Sequence, residues 1–281
     1  MPLPSRRTVA FQGELGAFSH VAALKLLGRK AHVLPCPSFR DVFDRLKSGS
    51  AALAVIPIEN TLHGSVHENY DNLIEYNIPI CGETNIQVLH QLIAAPGVPF
   101  RKIRRALSHP VALNQCRSFF LKHKQIEAVS FYDTAGSVKA VMESAPSDSA
   151  AIASETAAEI YGGAILRRNI QDNSRNFTRF FLLTKQSRPY TAFGSGVWKT
   201  SLAFSSPNSP GALFRALACF ALRDLNLTKI ESRPLRGKPW EYLFYVDLLG
   251  STREKAVERA LSNLREITQF CKVLGTYRST P

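Results

Sequence analysis

The chain has 281 residues, enough for two domains or for one large domain with a small companion. Its 45% hydrophobic and 20% charged residues mark a globular protein, and a formal net charge of +13 favours anionic partners. No apolar run is long enough for a bilayer, the start MPLPSRRTVAFQG lacks the apolar stretch of a signal peptide, and no basic run is dense enough for a nucleic-acid arm, so cytoplasmic residence and a dispersed positive surface that assists capture of an acidic metabolite are expected.

The first two-thirds alternate strand-like and helix-like segments. TVAF (8–11) reads as a strand, QGELG as a loop, and AFSHVAALKLLG as a helix ending at Gly28. Ser38 is placed to cap FRDVFDRLKSG, where Phe39, Val42, Phe43 and Leu46 recur at helical spacing. AALAVIPI (51–58) reads as a buried strand and 66–76 as a helix. Strands are expected near 86–94, 106–108, 128–132, 150–153 and 177–184, with helices around 112–122, 134–143 and 154–161. This alternation predicts mostly parallel sheets covered on both faces. KQSRPYTAFGSG (185–196) breaks the rhythm as a linker. Beyond it come a strand (197–204), a helix (210–224), two strands (227–232, 242–249), a helix (253–269) and a strand (272–276). That βαββαβ order is a ferredoxin-like module. The five cysteines are far apart and read as mostly buried thiols, not as a disulfide frame or a metal site.

Polar clusters recur at strand exits, where open α/β sheets bind ligands. Gly16, Ala17, Phe18 and Ser19 open a helix whose free N–H groups suit an anion, although an ordinary tight turn needs the same glycines. Glu59, Asn60, Thr61, Gly64 and Ser65 follow a buried strand and can either bind carboxylates and hydroxyls or cap the next helix. His63 and His67 read as surface histidines rather than zinc ligands. His109 lies in Ser-His-Pro, and Asp133 or Thr134 is placed as a helix cap beside Ala135. In NFTRFFLL, Asn176, Thr178 and Arg179 stand where a strand beginning with Phe177 and Phe180 enters a core. In the small module, Ser209-Pro210-Gly211-Ala212-Leu213 starts a helix, and LTKIESRP reads as an edge strand carrying Glu231, Ser232, Arg233 and Pro234.

In order along the chain, GELGAFS, PIENTLHGSV, SHP, DTAGS, NFTRF, SPGAL and LTKIESRP resemble the prephenate dehydratase family, which also contains arogenate dehydratases. The resemblance covers nearly the whole chain. It implies a catalytic domain (7–185) of two α/β lobes, like type II periplasmic binding proteins. It also implies a linker (186–196) and a C-terminal ACT domain (197–278) that binds phenylalanine at Gly211, Ala212, Leu213 and Glu231 to Pro234. Two positions depart from the family pattern: Val111 stands where Gln is common, and Gly163 where an aliphatic residue is usual.

By that resemblance the activity is conversion of prephenate to phenylpyruvate, carbon dioxide and water, with arogenate as the alternative substrate and phenylalanine as effector. It implies no cofactor, and a homodimer or homotetramer. Thr178 resembles an essential threonine, with Arg179, Asn60 and Ser65 as further catalytic residues. Gly16 to Ser19, Glu59, Thr61, Gly64, His109, Thr134, Ala135, Asn176 and Phe180 would bind substrate. An ion pair between Arg179 and the ring carboxylate would stabilise charge that the reaction must dissipate. Arg179 is therefore expected to grip the side-chain carboxylate or to order acidic neighbours. A non-catalytic binding protein for an acidic metabolite, or a nucleic-acid regulator, are the competing readings.

Overall fold

A computed structural model describes residues 8–185, 196–206, 208–234 and 241–279. The first lobe begins with β1 (Val9–Gln12), α1 (Phe18–Leu27), β2 (Val33–Cys36), α2 (Phe39–Ser48) and β3 (Leu53–Asn60). Ser38 accepts the Asp41 N–H as the α2 cap, Gly49 closes that helix at φ 87, and Val42, Phe43 and Leu46 form its buried face. β4 (Gly64–Ser65), α3 (His67–Tyr76) and β5 (Ile80–Gln87) follow.

The second lobe comprises β6 (Gln91–Ala94), β7 (Arg105–Ser108), α4 (Pro110–Asn114), α5 (Arg117–Lys122), β8 (Glu127–Ser130), α6 (Thr134–Ser144), β9 (Ser149–Ala153), α7 (Glu155–Tyr161) and β10 (Ala164–Arg167). The chain then returns as β11 (Phe177–Thr184). The first sheet has the order β2-β1-β3-β11-β5, with β4 beside β3, and the second has the order β10-β6-β9-β7-β8. Two α/β lobes joined by two crossovers match the expected fold class.

Several elements differ from the sequence reading. The single strand expected over 86–94 is two strands, because Val88 N–H bonds to Asn176 O and His90 N–H bonds to Gln171 Oε1 at the crossover. The helix expected over 112–122 is broken. Asp172 accepts the Arg117 and Ser118 N–H groups and so starts α5 afresh. β2 and β10 lie at sheet edges, and their short patterns carried no clear signal. The second lobe is mixed rather than parallel, since β6 runs antiparallel to both β9 and β10. A Cβ at Gly163 would meet Ile93 Cγ2 at 2.4 Å, which explains glycine there. Four of the five cysteines are buried and Cys271 is half-buried. Burial pushes the Cys81 thiol far up and that of Cys116 up to about 12, so both stay protonated.

The C-terminal module runs β12 (Trp198–Ser206), α8 (Ala212–Ala221), β13 (Leu227–Pro234), β14 (Tyr242–Leu249), α9 (Lys255–Ile267) and β15 (Phe270–Arg278). Its sheet has the order β13-β14-β12-β15, and every pairing is antiparallel. Phe204, Phe220, Val246, Leu248, Val257 and Leu264 form its core. Each such side chain contributes about 1.5–3 kcal/mol when fully buried. The expected linker lies outside the described residues except for Lys185 and Gly196 at its two ends.

Compact units do not follow chain order: residues 1–72 with 84–180 form one, and 73–83 with 181–281 form the other. β5 and β11 run through both. Within the second unit Lys199 Nζ lies 2.7 Å from Glu83 Oε1, with side-chain exposures of 13% and 2%. A Cβ at Gly275 would meet Ile80 O at 2.2 Å, so β15 and the start of β5 touch through backbone.

Candidate active site

The loop from Glu59 to Ser65 is a tight hairpin in which Glu59 pairs with Ser65 and Asn60 with Gly64. Gly64 takes φ 77, a conformation that glycine adopts without a Cβ penalty. Asn60 Oδ1 accepts the N–H groups of Leu62 and His63 at 2.9 and 3.0 Å. This fixes the amide, because its other atom must then be the donor. Asn60 Nδ2 donates to Asn176 Oδ1 (2.8 Å), Phe177 O (3.2 Å) and Thr178 Oγ1 (2.9 Å). Thr178 Oγ therefore accepts from Asn60, and its own O–H is left to donate elsewhere. Asn176 is buried, and its Nδ2 has no protein partner.

Thr178 and Phe180 lie on the wall of a cavity of 610 Å³. Strand alternation sends Arg179 to the opposite face. It is off the cavity wall and lies 3.9 Å from Glu59. Thr61 also turns away from the cavity: its Oγ1 bonds to Arg175 O and accepts the Phe177 N–H, tying the hairpin to β11.

Of the residues singled out by sequence, Ala17, Phe18, Ser19, Asn60, His109, Thr134, Thr178 and Phe180 share this one wall. Gly16, Glu59, Thr61, Gly64, Ser65, Ala135, Asn176 and Arg179 are not on it. Gly16 supports the wall from behind. Its N–H bonds to His20 Nδ1, Ser154 Oγ donates to its carbonyl, and a Cβ would meet Ala157 Cα at 2.5 Å. Ala135 is packed in the second lobe's core.

The wall also holds Gln12, Phe39, His63, Glu68, His90, Gln115, Tyr132 and Asp133. His63 and Asp133 had plain structural readings in the sequence, and His90 and Gln115 had no reading at all. Their signal exists only once two lobes face each other. Val111 is on the wall and exposed, so its departure from the family pattern falls at the site.

The wall's electrostatics are unusual for an anion site. Glu68 and Asp133 line it, and no Lys or Arg does among the described residues. The starts of α1, α2 and α6 contribute Phe18 and Ser19, Phe39, and Thr134. Helix starts offer N–H groups and a partial positive charge of about +0.5. Burial raises the Asp133 pKa, opposed by N–H groups including that of Gly136, to which its Oδ1 is bonded at 2.7 Å. Among the described residues no group of three His, Cys, Asp or Glu side chains is placed to hold a metal ion. No helix among them is long and apolar enough to cross a membrane.

Two α/β lobes around a cavity, followed by an antiparallel βαββαβ module, define a catalytic domain with an appended ACT domain. Residues 9–188 match the prephenate dehydratase family and residues 200–266 match the ACT domain. The chain belongs to the prephenate dehydratase family and is an enzyme of the prephenate/arogenate dehydratase type in the aromatic amino-acid pathway.

It is 44% identical to arogenate dehydratase/prephenate dehydratase 2 of Arabidopsis thaliana over 97% of this chain and 73% of that one. The solved prephenate dehydratase of Arthrobacter aurescens in complex with L-Phe is 30% identical, with a TM-score of 0.86 over 96% of this chain and 90% of that one. A solved structure described as GqqA, a novel type of quorum quenching acylase, is 33% identical, with a TM-score of 0.89 over 98% and 99% of the two chains.

Proposed function

We propose that the protein converts arogenate to phenylalanine, carbon dioxide and water, with prephenate as a poorer second substrate. The observation that carries the chemistry is the bond from Asn60 Nδ2 to Thr178 Oγ1, which leaves the Thr178 O–H as a donor on the cavity wall. In the reaction the bond from the ring to its carboxylate breaks, and the electron pair enters the ring. The C–O bond to the ring hydroxyl breaks as the ring becomes aromatic, and the departing hydroxide takes up one proton to become water. Thr178 is too weak an acid to lead this transfer by pKa. Its part is a positioned hydrogen bond to the oxygen as charge develops there.

The absence of Lys and Arg from the described wall suits the other half of the reaction. A carboxylate that leaves as neutral carbon dioxide is best held by modest N–H donors, because a strong ion pair would favour the ground state. Arg179 lies 3.9 Å from Glu59, and its proposed part is to order that acidic neighbour.

The same wall favours arogenate. Glu68 and Asp133 line the cavity without a Lys or Arg among the described lining residues. Prephenate carries two carboxylates, whereas arogenate adds an ammonium and has one less net negative charge, so such a wall repels it less. The name of the Arabidopsis relative carries both activities.

The test is product formation from each substrate, with Thr178→Val beside the native enzyme. Higher kcat/KM for arogenate and loss of kcat in the variant are expected. A native enzyme that prefers prephenate would remove the substrate assignment, and an unimpaired variant the role of Thr178.

Phenylalanine regulation belongs to the same proposal. Gly211, Ala212 and Leu213, at the start of α8, and Glu231 to Pro234, at the end of the sheet-edge strand β13, are the proposed effector positions. Saturating phenylalanine is expected to change activity and raise Tm, as any ligand of the native state does. The proposed assembly is a homodimer or homotetramer, and light scattering measures it.

A second reading, acyl hydrolysis, has the acylase likeness behind it. It needs an activated nucleophile, and among the described residues no wall hydroxyl is bonded to a histidine. Release of acid from an N-acyl amine at a rate comparable to dehydration would favour it.

A further inference from the structure

His90 lines the cavity at the crossover between β5 and β6, yet is only 1% exposed. Its backbone is fixed from both sides. The His90 N–H donates to Gln171 Oε1 at 2.9 Å, and His90 O accepts the Ile170 N–H at 2.9 Å. The ring packs edge-on to Phe18, with centroids 5.6 Å apart at 80°. Nε2 lies 2.8 Å from Gln115 Oε1.

A carbonyl oxygen can only accept, so Gln115 places the ring proton on Nε2. In the neutral ring Nδ1 is then an acceptor, and it has no protein partner. A buried acceptor left bare is costly, and a ligand in the cavity can remove that cost. Burial lowers the His90 pKa, against the opposing bond from Gln115, which keeps the ring neutral near neutral pH.

We propose that His90 is a substrate-contacting residue whose Nδ1 accepts a hydrogen bond from the bound substrate, with Gln115 as the positioning residue that sets its tautomer. The inference rests on the dehydratase reading above and adds a neutral acceptor to a wall whose other named acceptors include the carboxylates of Glu68 and Asp133. The substrates offer two donors of this chemistry. Both carry the ring hydroxyl, and arogenate alone carries an ammonium. If the hydroxyl is the partner, Thr178 and His90 hold it from two sides, one giving a hydrogen bond and the other receiving one.

Two variants separate this role from a structural one. In His90→Asn the side-chain oxygen can occupy the place of Nδ1, but the link to Gln115 is lost. In His90→Gln the amide can occupy the place of Nε2 and keep that link, but nothing remains at Nδ1. Both are measured with both substrates, with circular dichroism and Tm as controls for folding. The proposal expects His90→Asn to stay within about 10-fold of native kcat/KM, and His90→Gln to fall on the order of 100-fold. A fall with both substrates assigns the hydroxyl, and a fall with arogenate alone assigns the ammonium. Equal losses in the two variants, a larger loss in His90→Asn, or native activity in His90→Gln overturns the proposal. A native enzyme that dehydrates neither substrate fails the dehydratase reading first, and the inference falls with it.

Discussion

Asn60 Nδ2 donates to Thr178 Oγ1 over 2.9 Å, joining two residues 118 positions apart in the chain. The direction of this bond is set by the hairpin, whose Leu62 and His63 N–H groups occupy Asn60 Oδ1. Asn60→Asp replaces the donor by an acceptor, so the Thr178 proton would turn toward residue 60 and away from the cavity. The expected result is a kcat lowered about 100- to 1,000-fold, the range for losing one aligned donor, with a smaller change in KM. A native kcat in this variant would show that the direction of the Thr178 hydroxyl is immaterial.

Arg179 sits off the cavity wall, 3.9 Å from a half-exposed Glu59. A pair of that kind is worth about 0.2–1 kcal/mol. Arg179→Lys is expected to cost less than about 10-fold in kcat/KM. A double-mutant cycle with Glu59→Gln should show coupling below about 1 kcal/mol. A loss of kcat in Arg179→Lys as large as that in Asn60→Asp would place the guanidinium at the reacting atoms.

Gly16 takes φ 91, and a Cβ there would sit 2.5 Å from Ala157 Cα. Gly16→Ala combines a left-handed backbone with a clash against backbone that cannot swing aside. A destabilisation of about 2–4 kcal/mol is expected, read as a lower midpoint in urea. Ala157→Gly should not restore it, because the closest atom is Cα. Full rescue by that second change would mean that the Ala157 methyl was the obstacle.

His20 and His90 both have pKa values lowered from 6.5 by burial. The unfolded chain therefore takes up protons first as pH falls. Their contribution to stability is complete above about pH 6.5 and declines as pH drops below it, until the folded pKa values are passed. Each can contribute a slope of up to about 1.4 kcal/mol per pH unit in that window. His20→Asn keeps an acceptor for the Gly16 N–H and should flatten the fall in Tm between pH 6.5 and 4.5. An unchanged slope would assign it to other groups.

Lys199 and Glu83 form a pair with little solvent access. Lys199→Met leaves a carboxylate of 2% exposure without this partner. Removing one member of such a pair costs about 3–5 kcal/mol, and Glu83→Leu combined with Lys199→Met should recover much of it. Thermal melts of the single and double variants measure this directly.

The sequence by itself determined the alternation of strands and helices, the βαββαβ order of the C-terminal module and the polar clusters at strand exits. Those features are local: Ser38 caps α2, Asp133 caps α6, and Phe180 to Leu183 bury as one strand. Alternation was also local, although the separation of Thr178 from Arg179 became visible only with the cavity in place.

Tertiary structure alone decided the rest. The break at Val88 to His90 arises from bonds to Asn176 and Gln171, far along the chain. The orientation of the Thr178 hydroxyl, the acceptor at His90 and a wall without cations among its described residues each depend on which side chains two lobes bring together. Spacing along a sequence carries periodicity but not the direction of a hydrogen bond between distant residues. The chemistry of this cavity is written in those directions.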